Sequence, residues 1–226
     1  MFTPETLHFL AENRFQNSRV WYAEHKAEFK EYVMQPMIET VEFLAPTLEK
    51  IDPLIVTEPK VDKTISRIYR DMRRAHGSFY REVMWLTFKR DKVMFPRYPE
   101  FFLVFSPQEF FYGCGYYAAT GDAMRCMRQM VLADDPAFRR ADKASRAQKV
   151  LQIDGEAYKR SRFPDATPKQ RNWVDRRSVS FIHTGDPWAE LFDPDLPQKL
   201  ADAFSGAREI YHFFLAAEQK AAELRG

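Results

Sequence analysis

Between positions 29 and 51 the residues Phe29, Val33, Met37, Val41, Leu44, Leu48 and Ile51 step by 4, 4, 4, 3, 4 and 3. Side chains three and four apart share a helix face, so this run specifies an amphipathic helix with a stripe to bury. It limits the fold sharply because the period is abandoned downstream. Residues 83–88, 101–105 and 110–112 are short aromatic and β-branched runs bounded by Pro and Gly, the pattern of strands. Ser106-Pro107-Gln108 is the expected hairpin turn between the last two. A chain that moves from the helical period to the strand period and back calls for helices packed on a sheet.

Thr3-Pro4-Glu5 sets a capping hydroxyl before a proline at the first helical position, and that short helix is expected to stop near Asn13. A second start lies at Asn17 or Ser18. Pro36 and Pro46 interrupt the donors of the long run, so a kink or two abutting helices is expected before Asp52-Pro53 ends it. Gly121-Asp122 opens a helix towards Leu132, and Asp134-Asp135-Pro136 opens another. The last third reads as a strand over 149–153, a helix over 168–174, a strand over 178–183 and a final helix over about 197–224. Helices at both ends of a mostly antiparallel, aromatic-rich sheet make the class α+β. No repeat or Gly/Ser-rich linker divides the chain. One domain over 1–226 is the simplest organisation, with a helical part at 1–58, a sheet-rich part at 62–117 and a mixed part at 118–226.

The 226 residues carry 34 Lys+Arg against 32 Asp+Glu and are 45% hydrophobic. That excludes a disordered tail, a collagen-like chain and a small disulfide scaffold. A net charge of +2 argues against nucleic-acid binding by the whole-molecule field alone. Yet residues 1–59 hold 5 basic and 10 acidic side chains, residues 60–97 hold 11 and 4, and residues 139–177 hold 12 and 5. Acidic helices and basic loops can pair with each other or stay solvated; a local anion site is the alternative. Of the 34 aromatic residues, 14 lie between Phe79 and Tyr117, so the excess belongs to the sheet, where such rings usually line a core. Exposed rings beside arginines could instead stack on nucleobases. Cys114 and Cys126 form no C-x-x-C, and residues 1–14 lack the basic start and apolar run of a signal peptide. No window reaches the ~18 apolar residues of a membrane span. The expectation is a cytoplasmic location with reduced thiols, no cofactor and no membrane partner.

The densest chemistry runs from Ser66 to Glu82, where Arg67, Arg70, Arg73, Arg74 and Arg81 surround Asp71, with Tyr69 and Tyr80 nearby. Arginine suits sites where a planar, permanently charged fork grips carboxylate or phosphate oxygens. As a strand, Arg67, Tyr69 and Asp71 would share a face opposite Arg70; as a helix, Arg67 and Asp71 would form an i,i+4 pair. Asp71 is expected to orient an arginine in either case. Two readings stay open, an ion network that fastens a loop to the core and a pocket for an anion. On the second, a small phosphorylated or carboxylate ligand is held by Arg67, Arg70, Asp71, Arg73, Tyr80 and Arg81, with Lys159 and Arg160 as further contributors. His76 is the one histidine inside the motif and the one candidate acid/base group. Competing classes are a nucleic-acid-binding module on the two basic stretches, and a structural or interaction protein whose acidic helical end docks a basic partner.

Other chemistry finds little support. There is no P-loop, G-x-S-x-G, H-E-x-x-H or EF-hand loop. Gly113-Cys114-Gly115 lacks the third glycine of a dinucleotide site, and Cys114 has no base placed beside it by sequence. His8, His25, His76, His183 and His212 show no metal-ligand spacing. Asp134-Asp135 and Asp193-Pro194-Asp195 read as helix caps.

Arg67-Ile68-Tyr69-Arg70-Asp71-Met72-Arg73 followed by Tyr80-Arg81 resembles the R-I-Y-R-D-x-R-F…Y-K motif of a bacterial and fungal family catalogued as domain of unknown function 2461. Arg19-Val20-Trp21-Tyr22 with His25-Lys26 is similar to that family's N-R-x-W-F…N-K start, and Pro36 falls where it has a helix proline. Residues 101–115 resemble its Y-Y-L-x-x-x-P…G-x-G strand pair. Gly155-Glu156 with Tyr158-Lys159-Arg160 resembles its G-x-x-L-K-R turn, and residues 173–178 its L-x-R-K-S segment. Where the family usually has Phe-Ser-x-Asp-Lys-x-Pro-Tyr-Lys, this chain has Arg74-Ala75-His76-Gly77-Ser78-Phe79-Tyr80-Arg81. The resemblance implies an α+β fold and the location of a site, with no established activity.

Overall fold

The computed structural model describes residues 1–71, 77–95 and 97–225. In chain order these form α1 (Pro4–Gln16), α2 (Arg19–Glu24), α3 (Lys26–Glu28), a π-helical segment (Phe29–Met34) and α4 (Gln35–Ile51). Then come β1 (Met84–Phe88), β2 (Glu100–Phe105), β3 (Phe110–Gly115), α5 (Gly121–Leu132) and α6 (Pro136–Ala147). The chain continues with β4 (Gln152–Asp154), α7 (Pro168–Val174), β5 (Ser180–Gly185), α8 (Pro187–Glu190), α9 (Leu196–Gly206) and α10 (Arg208–Arg225). The strands form one sheet in the order β1-β2-β3-β5-β4, which makes the fold α+β. Strand β4 runs antiparallel to β5, with Ile153 opposite Phe181. The hairpin between β2 and β3 closes through Ser106, whose amide donates to the Glu109 carbonyl at 2.8 Å. Its hydroxyl accepts from the Gln108 and Glu109 amides.

Two compact units can be distinguished. The first comprises Met1–Phe88, Phe102–Tyr112 and Thr184–Ala201. Its amphipathic stripe is buried at all seven positions from Phe29 to Ile51. Helix α1 starts at Pro4 under a Thr3 capping box, and it continues past Asn13 until Asn17 takes the left-handed φ of 45°. Ser18 caps α2, accepting from the Trp21 amide. The two helix prolines act differently. Pro36 cannot donate to the carbonyl four residues back, that of Tyr32, and the Thr6 hydroxyl supplies a bond to it at 2.6 Å. The turn before it widens to π geometry, with the Gln35 amide reaching Lys30. Helix α4 runs through Pro46 without a break, so two abutting helices do not meet there.

The second unit comprises Lys89–Phe101, Gly113–His183 and Asp202–Gly226. Helix α10 packs on α5 and α6. Trp173 fills the centre, edge-on to Phe138 and Phe213 and tilted against Phe181. The aromatic run of the sheet therefore does line the core: Phe101, for instance, is fully buried beneath Phe204 and Tyr211.

Three further element boundaries depart from the sequence reading. The final helix is two, α9 and α10, broken at Ala207, whose amide is shared between the Ala203 and Phe204 carbonyls. Strand β4 starts at Gln152 rather than 149 because the Gln148 amide bonds both backbone groups of Leu151. Strand β5 starts at Ser180 rather than 178, since Asp175 and Arg177 pair instead with Tyr158 and Glu156.

Glu100 opens β2 almost wholly buried, 2.9 Å from the Lys89 ammonium. Burial pushes its carboxyl above the ordinary range, against the pull of Lys89. A raised folded-state value stabilises below the ordinary carboxylate pKa, and that contribution is lost as pH rises through the folded value. Glu100→Gln is therefore expected to gain stability relative to the parent between pH 4 and pH 7 in urea melts. Lys89→Ala, which strands the carboxylate, should lose about 2 kcal/mol at pH 7, the low side for a buried pair because the lysine is part-exposed. Parallel pH profiles for Glu100→Gln and the parent would refute the assignment.

Candidate functional site

The arginine-rich motif lies in the first unit. After α4 the chain turns at Asp62, in left-handed conformation at φ 68°, and runs beside β1. The Ser66 amide bonds the Trp85 carbonyl at 3.0 Å, and Ile65 bridges Leu86. Residues 68–70 and 79–81 then pair as a short antiparallel ribbon: Tyr69 bridges Tyr80, the Arg70 amide reaches Phe79, and the Arg81 amide reaches Ile68. The strand alternative is the correct one for this stretch. The ribbon is anchored to the end of α1. The Asn17 side chain accepts from the Phe79 amide at 2.7 Å and donates to the Gly77 carbonyl at 2.9 Å. Gly77, at φ 86°, supplies the turn that permits this.

The ribbon folds two tyrosines onto a third. The Tyr22, Tyr69 and Tyr80 rings stand 5.0 to 5.5 Å apart. Burial raises the pKa of Tyr22, with the neighbouring Tyr69 hydroxyl adding to it, so the phenol stays protonated. Burial does the same for Tyr80, opposed by the positive charge of Arg19. Arg19 itself lies 4.8 Å over the Phe79 ring.

The candidate residues divide by what they touch. Arg67 grips Asp62, its Nε donating at 2.7 Å and its Nη2 donating to the same oxygen, on the exposed surface. Arg81 donates from Nε to the Tyr69 carbonyl at 3.1 Å and lies 4.9 Å over the Trp85 ring, so it braces the ribbon. Arg70 is exposed, and its guanidinium makes no ion pair among the described residues. Asp71 is also exposed. Arg73 and His76 lie outside the described residues. Lys159 and Arg160 are exposed on the second unit, where the adjacent Tyr158 ring is flanked by Arg162 at 4.2 Å and Arg128 at 5.7 Å.

Two hollows open on the first unit. One, of about 430 Å³, is lined by Tyr22, Phe29, Met34, Val61, Ser66, Arg67, Ile68 and Tyr69. The other, of about 420 Å³, shares Tyr22, Phe29 and Met34 and adds Lys26, Ala27 and Lys30. Phe29 and Met34 can share this wall because of the π segment. Five residues of α-helix overshoot a full circle by about 140°, whereas an i→i+5 turn brings the fifth residue back over the first. Tyr22, Lys26, Lys30 and Met34 were not singled out as site residues from sequence. The signal available was proximity of Trp21-Tyr22…Lys26 to a second recognisable motif, and only chain folding joins the two.

A cleft of about 760 Å³ on the second unit lies over Trp173 and Phe181 between α6 and α7, but its charges are committed, Arg146 to Asp142 and Lys169 to Asp134. Cys114 is fully buried, and burial beside Glu100 drives its thiol pKa up, the opposite of what a nucleophile needs. Among the described residues no group of three or more His, Cys, Asp or Glu could hold a metal ion. No described helix is long and apolar enough to cross a membrane.

No curated protein matches the chain. The model of one family does, over residues 5–213, a span that takes in the tyrosine-walled hollows and the ribbon. The chain therefore belongs to the family described as conserved hypothetical protein (DUF2461).

Proposed function

We propose that the protein binds a small anionic ligand, a phosphate or carboxylate compound, in the tyrosine-walled groove of the first unit. One observation carries the reading: Lys26, Lys30 and Arg67 rim a pair of adjoining hollows whose inner wall is Tyr22. An apolar wall lowers the local dielectric, which strengthens the attraction of the three cations for an anion. Asp62 holds Arg67 in place and offsets part of its charge, whereas Lys26 and Lys30 line their hollow with no ion pair among the described residues. Arg70 is exposed on the adjoining ribbon and lines neither hollow. Arg81 is assigned to the scaffold. We place this activity in the cytosol, a reading supported by two free, buried cysteines.

Millimolar inorganic phosphate or a short carboxylate is expected to raise the melting temperature by about 2–4 °C. Lys26→Glu and Lys30→Glu should each remove most of that shift while leaving the unliganded protein folded. A shift that survives both substitutions would overturn the site. Retention on RNA or DNA that falls steeply with salt, with no response to small anions, would favour a nucleic-acid-binding module instead.

A further inference from the structure

We propose that the ligand is an amphipathic acid, an unbranched acyl chain whose carboxylate sits on Lys26 and Lys30; the proposal rests on the anion-binding reading above. Tyr22, Phe29 and Met34 line both hollows, and the one that Lys26 and Lys30 also line is a trough along α3 and the π segment. That trough is walled by aromatic rings, the Ala27 methyl, the Met34 thioether and the lysine stems. A compact phosphate would find no hydrogen-bonding atoms on that wall to replace its water shell. An acyl chain needs none, and each methylene it removes from water favours binding.

The charges lie where such a ligand needs them. Lys26 and Lys30 are exposed, four residues apart, and line the same hollow. Like charges at this spacing weaken a helix, and neither lysine has an ion pair among the described residues. Lysine stems can lie along an acyl chain while the ammonium groups stay at the water boundary.

Isothermal titration calorimetry on the full chain, below the micelle threshold, would compare decanoate, butyrate, inorganic phosphate and decyltrimethylammonium. Decanoate is expected to bind at least about tenfold more tightly than butyrate, and the cation is expected not to bind. Ala27→Phe, an exposed helix position that fills the trough without changing charge, should weaken decanoate about tenfold with the unliganded melting temperature unchanged. Equal affinity for decanoate, butyrate and phosphate would overturn the acyl assignment and leave the anion site standing. Binding of the decyl cation as tight as decanoate would overturn the role of the lysines. Unaltered decanoate binding to Ala27→Phe would place the chain elsewhere and overturn the proposal. Absence of binding by every anion would remove both this inference and the reading beneath it.

Discussion

Trp173→Ala is expected to lower the unfolding free energy by about 4 kcal/mol, near the upper end for truncating a large aromatic in a packed core. The side chain is 1% exposed. Its ring meets Phe138 at 5.6 Å and 90°, Phe213 at 5.6 Å and 85°, and Phe181 at 5.1 Å. Edge-to-face pairs of this kind add to the area they bury. Alanine would leave a void bounded by three rigid rings, supplied by α6, α10 and β5, that cannot collapse inward without disturbing one another. Urea unfolding followed by circular dichroism gives the value directly. A loss under about 1 kcal/mol, the range of an ordinary surface change, would show that Trp173 is not the centre of this core.

Gly113→Ala should cost about 3 kcal/mol or prevent folding, for a different reason. A Cβ at this position of β3 would stand 2.0 Å from the Phe181 carbonyl oxygen and 3.0 Å from the Ile182 Cα. Both obstacles are backbone of β5, so relief requires opening the β3–β5 pairing rather than rotating a side chain. Gly121→Ala provides the contrast, because a Cβ there meets nothing within 4 Å. It sits at the first position of α5, where alanine reduces unfolded-chain entropy, and a gain of about 0.5 kcal/mol is expected. Equal effects at the two glycines, read by thermal melts, would refute the close-approach argument.

Much of the fold was legible where local chemistry decides it. The stripe from Phe29 to Ile51 needed only helical geometry, and every member is buried. Thr3, Asp135 and Pro168 announce helix starts because a cap or a first-turn proline acts within one turn. The departures arise from distant partners. Nothing local says that Gln148 will satisfy the backbone of Leu151, or that Asp175 and Arg177 will pair with Tyr158 and Glu156. The same holds for the candidate site. The motif left strand and helix open, and the pairing of 68–70 with 79–81 that draws Tyr80 inward comes from the fold. That Arg67 would pair with Asp62, and that Tyr22 would sit under Tyr69, depends on a left-handed turn at position 62 and on the return of the chain past α4.

Asn17 joins the end of α1 to the ribbon, and its geometry leaves a narrow vocabulary at that position. The backbone must accept a left-handed φ, which glycine does freely and asparagine does better than most other residues. The side chain must also accept a bond from the Phe79 amide and donate one to the Gly77 carbonyl. Glycine meets the first demand and neither of the others. Aspartate can accept but not donate, and glutamine carries the right amide one carbon too far out on a backbone it strains. One residue type satisfies all three demands at once, so the letter at position 17 is spelled jointly by a helix terminus and by a segment sixty residues downstream.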